Sequence, residues 1–130
     1  MEVLSGVFYV EHRNDFDFNG IIKAVLDKKL RYEGECFYNE ISGVGQLYRR
    51  VADKEYVTFY EGEFRDQKFE GIGRKSMLKR KTIYEGQFIA GKEDGFGRVL
   101  LNVNGDGEGE NMIVANFSKG LMHGVVCTYR

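Results

Sequence analysis

At 130 residues the chain has room for one domain and none for a separate catalytic one. Its 19 basic and 20 acidic residues nearly cancel, so no global field draws it to nucleic acid or to an anionic membrane. No stretch approaches the roughly 20 apolar residues of a membrane span, and the opening MEVLSGVFYV lacks the basic flank and unbroken apolar run of a secretory leader.

These features predict a soluble, cytoplasmic protein, neither secreted nor transmembrane. Cys36 and Cys127, far apart in sequence, are read as thiols in a reducing compartment. Proline is absent, which favours unbroken hydrogen-bonded ladders, and 17 glycines stand where average usage gives roughly nine.

The glycine excess sorts into a repeat. In chain order, a worn first copy keeps Gly6, Phe8 and Gly20 around Leu4. The second copy is Tyr32, Gly34, Gly43 and Gly45, with Cys36 in a slot that is aromatic elsewhere. The third is Tyr60, Gly62, Phe64, Gly71 and Gly73, and the fourth Tyr84, Gly86, Phe88, Gly95 and Gly97. A worn last copy, with Ile113 in the tyrosine slot, keeps Phe117, Gly120 and Gly124. Counting from the tyrosine as zero, the template is Tyr, Gly at +2, an aromatic at +4, and Gly at +11 and +13. Approximate repeats are 4–31, 32–59, 60–83, 84–112 and 113–130, within a single domain over 1–130.

The runs YEGEF at 60–64 and YEGQF at 84–88, each closed by GxG, and KGLMHG at 119–124 resemble the MORN-repeat family. The resemblance implies an all-β fold, in which about five β-hairpins stack into an elongated, twisted antiparallel sheet. It also implies a non-catalytic interaction or scaffold module: a small structural or adaptor subunit of a larger assembly, cytoskeletal or ciliary in view of the family. Alternatives are a peripheral membrane module and a regulatory repeat subunit of an enzyme complex.

The spacing supports this independently. Positions 0, +2 and +4 of a strand share one face, so Tyr84, Gly86 and Phe88 leave a gap between two rings that a neighbour's ring can fill. If +4 pairs with +11 across the hairpin, Gly86 faces Gly97 and Phe88 faces Gly95, giving bare backbone on which aromatics lie. A lone hairpin is marginal, so stability has to come from stacking. Ten strands at about 4.8 Å would make a rod of roughly 50 Å, which offers surface and not a cleft.

The opposite face carries the functional expectation. Position +12 is apolar in every copy, as Ile21, Val44, Ile72, Phe96 and Val125, and +16 gives Val25, Tyr48, Ser76, Leu100 and Tyr129. Between these rows lie Lys23, Gln46, Arg74, Arg98 and Cys127, with Arg74 and Arg98 placed to pair with Glu61 and Glu85. Apolar rows around a polar stripe predict a protein partner, and unpaired strands at 4–8 and 124–130 invite strand addition or a homodimer.

The segment RKSMLKRK, with Arg74, Lys75, Lys79, Arg80 and Lys81, is the candidate contact for an acidic partner or for weak binding to anionic lipid. NVNGDGEGEN begins like a calcium loop but has Ile113 where the bidentate Glu belongs, so it is read as a flexible turn. His123 and Cys127, four residues apart on a strand, stand over 10 Å from each other by roughly 3.3 Å per residue. No catalytic residues, metal, cofactor, nucleic acid or small-molecule substrate are expected.

Overall fold

The computed structural model describes residues 9–10, 20–38, 40–77, 81–101 and 111–129. They form one antiparallel sheet whose spatial order follows chain order. The strands are β1 (Tyr9–Val10), β2 (Gly20–Val25), β3 (Leu30–Phe37), β4 (Glu40–Ala52), β5 (Glu55–Arg65), β6 (Lys68–Met77), β7 (Thr82–Ile89), β8 (Lys92–Leu101), β9 (Asn111–Ser118) and β10 (Leu121–Tyr129). The expected all-β sheet of stacked hairpins is what the chain forms.

Two-residue turns close the hairpins at Asp66-Gln67, Ala90-Gly91 and Lys119-Gly120, with positive φ at both residues of each. This mirror-image turn matches the right-handed twist of the flanking strands. The extra residues VADKEYVTF extend β4 and β5 into a longer hairpin around Asp53-Lys54, while residues 102–110 and 4–8 lie outside the described ones.

The ladder carries a row of glycines across six strands. Gly34 pairs with Gly45, Gly45 with Gly62, Gly62 with Gly73, Gly73 with Gly86, and Gly86 with Gly97. Ile22 and Ala115 end the row on its two sides. The expected pairing of +2 with +13 is therefore present, but that of +4 with +11 is not. Within a hairpin Phe88 pairs with Glu93 and Phe64 with Phe69, so three residues, +10 to +12, bulge opposite the single residue at +3. The +11 glycine instead faces the +4 residue of the next hairpin, as Gly43 with Phe64, Gly71 with Phe88 and Gly95 with Phe117.

The reason is in the bulge. Gly43, Gly71 and Gly95 take φ of +88°, +74° and +96°, which turns the chain out of register. The side chain at +3 then accepts a hydrogen bond from the freed +12 amide. Glu35 Oε1 takes Val44 N at 2.6 Å, Glu63 Oε2 takes Ile72 N at 2.5 Å, and Gln87 Oε1 takes Phe96 N at 2.8 Å.

The glycine row is a trough for rings, as the spacing implied, although each ring comes from its own hairpin and not from a neighbour. A β-carbon on Gly97 would sit 2.5 Å from Cε2 of Tyr84, and one on Gly73 at 2.5 Å from Cζ of Tyr60. Each tyrosine bends across its +2 glycine and donates to the +3 carbonyl: Tyr32 to Glu35 O at 2.6 Å, Tyr60 to Glu63 O at 2.7 Å and Tyr84 to Gln87 O at 2.8 Å.

The +4 phenylalanines bridge successive hairpins edge to face. Phe64 meets Tyr32 at 5.3 Å and Tyr60 at 5.0 Å, Phe88 meets Tyr60 at 5.3 Å and Tyr84 at 5.1 Å, and Phe117 meets Tyr84 at 4.9 Å. Phe69 stacks flat on Tyr60 at 3.7 Å. One face of a single sheet thereby becomes the core, because rings sunk into bare backbone exclude water without a second layer.

Backbone bonds tie each rung to the one before. The turn amides of Gln67, Gly91 and Gly120 donate to the carbonyls of Ile41, Phe69 and Glu93 at 3.1, 2.9 and 2.8 Å. Carboxylates at +10 add a second tie, Glu70 accepting from Ala90 N and Asp94 from Lys119 N.

Burial pushes the Tyr84 hydroxyl up to about 12, with the Glu93 charge adding to it, and pushes Tyr32 and Tyr60 upward as well. The folded state thus holds these protons more tightly than the unfolded chain, where tyrosine titrates near 10. Their contribution to stability is complete below pH 10; that of Tyr84 is lost as pH rises through about 12, and those of Tyr32 and Tyr60 at higher pH still. In an absorbance titration of phenolate, these tyrosines should ionise last, together with loss of the strand signal in circular dichroism. Ionisation of all tyrosines near pH 10 with the sheet intact would contradict this.

Candidate protein-binding face

The face opposite the rings is built by the same bulge. In the three middle hairpins residue +12 sits in the bulge with its side chain turned to solvent, leaving Val44 60%, Ile72 59% and Phe96 51% exposed, and Ile21, on the same face, is 80% exposed. Val125, expected in this row, leaves it: the shifted register of β10 pairs it with buried Ala115, which lies on the ring face. In the ladder Ile21 stands opposite Glu35, Val44 opposite Glu63, Ile72 opposite Gln87 and Phe96 opposite Asn116. The row therefore alternates apolar knobs with polar side chains, three of which already hold a backbone amide. Sequence reasoning missed this capping role. The signal was an acid or amide at +3 in all three middle copies.

Beside the row runs a self-paired polar stripe. Lys23 meets Glu33 at 3.6 Å, Gln46 donates to Glu61 at 3.1 Å, and Glu85 pairs with Arg74 at 3.0 Å and Arg98 at 2.5 Å. The expected Arg98–Glu85 pair is present, and Arg74 stands between Glu61 in the ladder and Glu85, its ion-pair partner.

The second apolar row is less uniform. Val25 and Tyr129 are exposed, while Tyr48, Ser76 and Leu100 are half-buried. Ser76 and Leu100 flank the buried Ile83, and Tyr48 donates its hydroxyl to Gln46.

Lys75 is a correction. Lying on the ring face, it is buried and forms an ion pair with buried Glu93 at 2.7 Å, so it is not available to lipid or to an acidic partner. Arg74 is held by Glu85, Lys81 is exposed at its turn, and Lys79 and Arg80 lie outside the described residues. His123 falls inside β10 and not in a turn.

Both cysteines are thiols, Cys36 buried and Cys127 partly exposed. Among the described residues no group of three or more His, Cys, Asp or Glu could hold a metal ion, and no helix is long and apolar enough to cross a membrane.

A sheet of hairpins in chain order, with recurring glycines, rings and caps, defines a repeat protein. The MORN repeat family matches residues 60–76 and 84–100, and the chain is a MORN-repeat protein. The repeat is a non-enzymatic module associated with binding to proteins and membranes. A search of curated proteins finds no match to this chain.

Proposed function

We propose that the chain is a non-catalytic interaction module, a small structural or adaptor subunit docking onto a larger assembly of the cytoskeletal or ciliary kind that the family suggests. The supporting observation is the +12 row, four apolar side chains in register on one face, Ile21, Val44, Ile72 and Phe96, each at least half exposed. A row of exposed apolar knobs set between polar side chains, beside a satisfied polar stripe, is the make-up of a protein interface. A lipid reading through the 74–81 segment is less favoured, because Lys75 and Arg74 are both committed to carboxylates.

Ile72→Lys combined with Phe96→Lys tests this reading. Both sites are exposed, so stability should stay within about 0.5 kcal/mol. Proteins co-purified with the variant should lack the partners recovered with the wild type, whereas Lys81→Gln should retain them. Retention of the same partners by the double variant would count against this face.

A further inference from the structure

The lengthened hairpin of β4 and β5 carries a feature that neither the repeat nor the apolar row uses. Along its outgrown end and the neighbouring β2–β3 turn, Lys28, Lys29, Arg31, Arg49, Arg50 and Lys54 stand against Asp27, Asp53 and Glu55, a local cationic excess in a chain of formal net charge -1. Among the described residues none of these six cations is in an ion pair, in contrast to Arg74, Arg98, Lys23 and Lys75. Asp27 is occupied locally, its Oδ1 accepting from the amides of Lys29 at 2.6 Å and Leu30 at 3.0 Å.

Two of the guanidiniums are fixed in place by rings. Arg31 Cζ lies 4.3 Å from the centroid of Tyr56, and Arg49 Cζ lies 4.3 Å from that of Phe59. Arg50 is the ladder partner of Tyr56, so Arg31 and Arg50 both stand at one ring, and the Arg50 amide donates to Lys29 O at 2.8 Å, which ties the β2–β3 turn to the end of β4. A guanidinium laid flat on an aromatic face keeps its N–H edge free and loses little further freedom on gripping a carboxylate in bidentate fashion.

From this arrangement we infer that Arg31 and Arg50, on the platform of Tyr56, form a docking site for an acidic peptide segment of a protein partner. A carboxylate-bearing peptide fits better than a membrane or a polynucleotide. The chain as a whole has no positive field, and Asp53 and Glu55 at the hairpin tip would repel a continuous anionic surface. The site stands independently of the apolar row, since its contacts are ionic and lie at the end of the strands.

The test is fluorescence anisotropy of the whole chain with a labelled oligoglutamate peptide and an oligoglutamine control, beside phosphatidylserine vesicles and a single-stranded oligonucleotide. Oligoglutamate should bind and oligoglutamine should not. Arg31→Gln and Arg50→Gln should each weaken binding roughly tenfold. Tyr56→Leu should weaken it with every charge retained, whereas Tyr56→Phe, which keeps the ring, should leave it unchanged. Lys92→Gln, at the far turn, should have no effect.

Equal binding of the two peptides would overturn the inference. So would equal losses from Lys92→Gln and Arg31→Gln, which would mean diffuse charge, or capture of vesicles or oligonucleotide without oligoglutamate. Circular dichroism of each variant separates lost binding from lost fold.

Discussion

Gly62→Ala should be among the most damaging substitutions in the chain, costing about 3–5 kcal/mol in urea unfolding. Its β-carbon would sit 2.5 Å from Gly73 Cα and 2.5 Å from Ile72 O, both backbone atoms of the adjacent strand, and its φ of +148° is one that side chains rarely adopt. No rotamer change relieves such a clash. Only parting β5 from β6 would, and that unseats Tyr60 from Gly73 and from its stack on Phe69.

The last hairpin shows what the chain does when the two glycines are absent. There +2 is Ala115 and +13 is Val126, and the ladder shifts so that Ala115 opposes Val125 and Cys127 opposes Val114. By contrast, Gly124→Ala should cost only the backbone strain of its φ of +145°, about 1–2 kcal/mol, because nothing lies within 4 Å of the added carbon. Equal losses at the two positions would show that the trough is not what holds the hairpins.

The second large effect is expected at the buried ion pair. Breaking Lys75–Glu93 by Glu93→Ala leaves a buried ammonium without its carboxylate, a loss of about 3–5 kcal/mol. One rung earlier the same two template positions, +15 and the next +9, hold Leu47 and Phe69, both buried. Importing that pair as Lys75→Leu with Glu93→Phe should restore stability or exceed the wild type by about 1–4 kcal/mol. Chemical denaturation of the single and double variants decides the matter. A double variant as unstable as the single would mean that the charges fit this rung better than an apolar pair. The ion pair also explains why counting cations along RKSMLKRK misleads: alternate residues of a strand face opposite ways, and Lys75 faces the rings.

Much of the fold was legible because glycine, aromatic and apolar positions recur at fixed offsets: Gly62 against Gly73, Gly86 against Gly97, and the outward +12 row all follow from a period of two. What was not legible depends on the bulge. An unbroken ladder carries +2 opposite +13 forward to +4 opposite +11, but three residues at +10 to +12 opposite one at +3, two more than such a ladder holds, send Phe88 to Glu93 and hand Gly95 to the next rung's Phe117. Gly71 at φ +74° and the acid at Glu63 are the two halves of that bulge, and neither identifies it alone. The cation site was hidden for a different reason: Arg31 and Tyr56 are 25 positions apart and meet only because β4 and β5 outgrow their neighbours.

The amide-to-carbonyl ties from Gln67 to Ile41 and from Gly91 to Phe69 connect equivalent atoms of consecutive periods. Gly45 meets Gly62 just as Gly73 meets Gly86. The surfaces exposed by removing one middle period are therefore complementary to each other, so such an array can lengthen or shorten by whole periods without inventing a new junction.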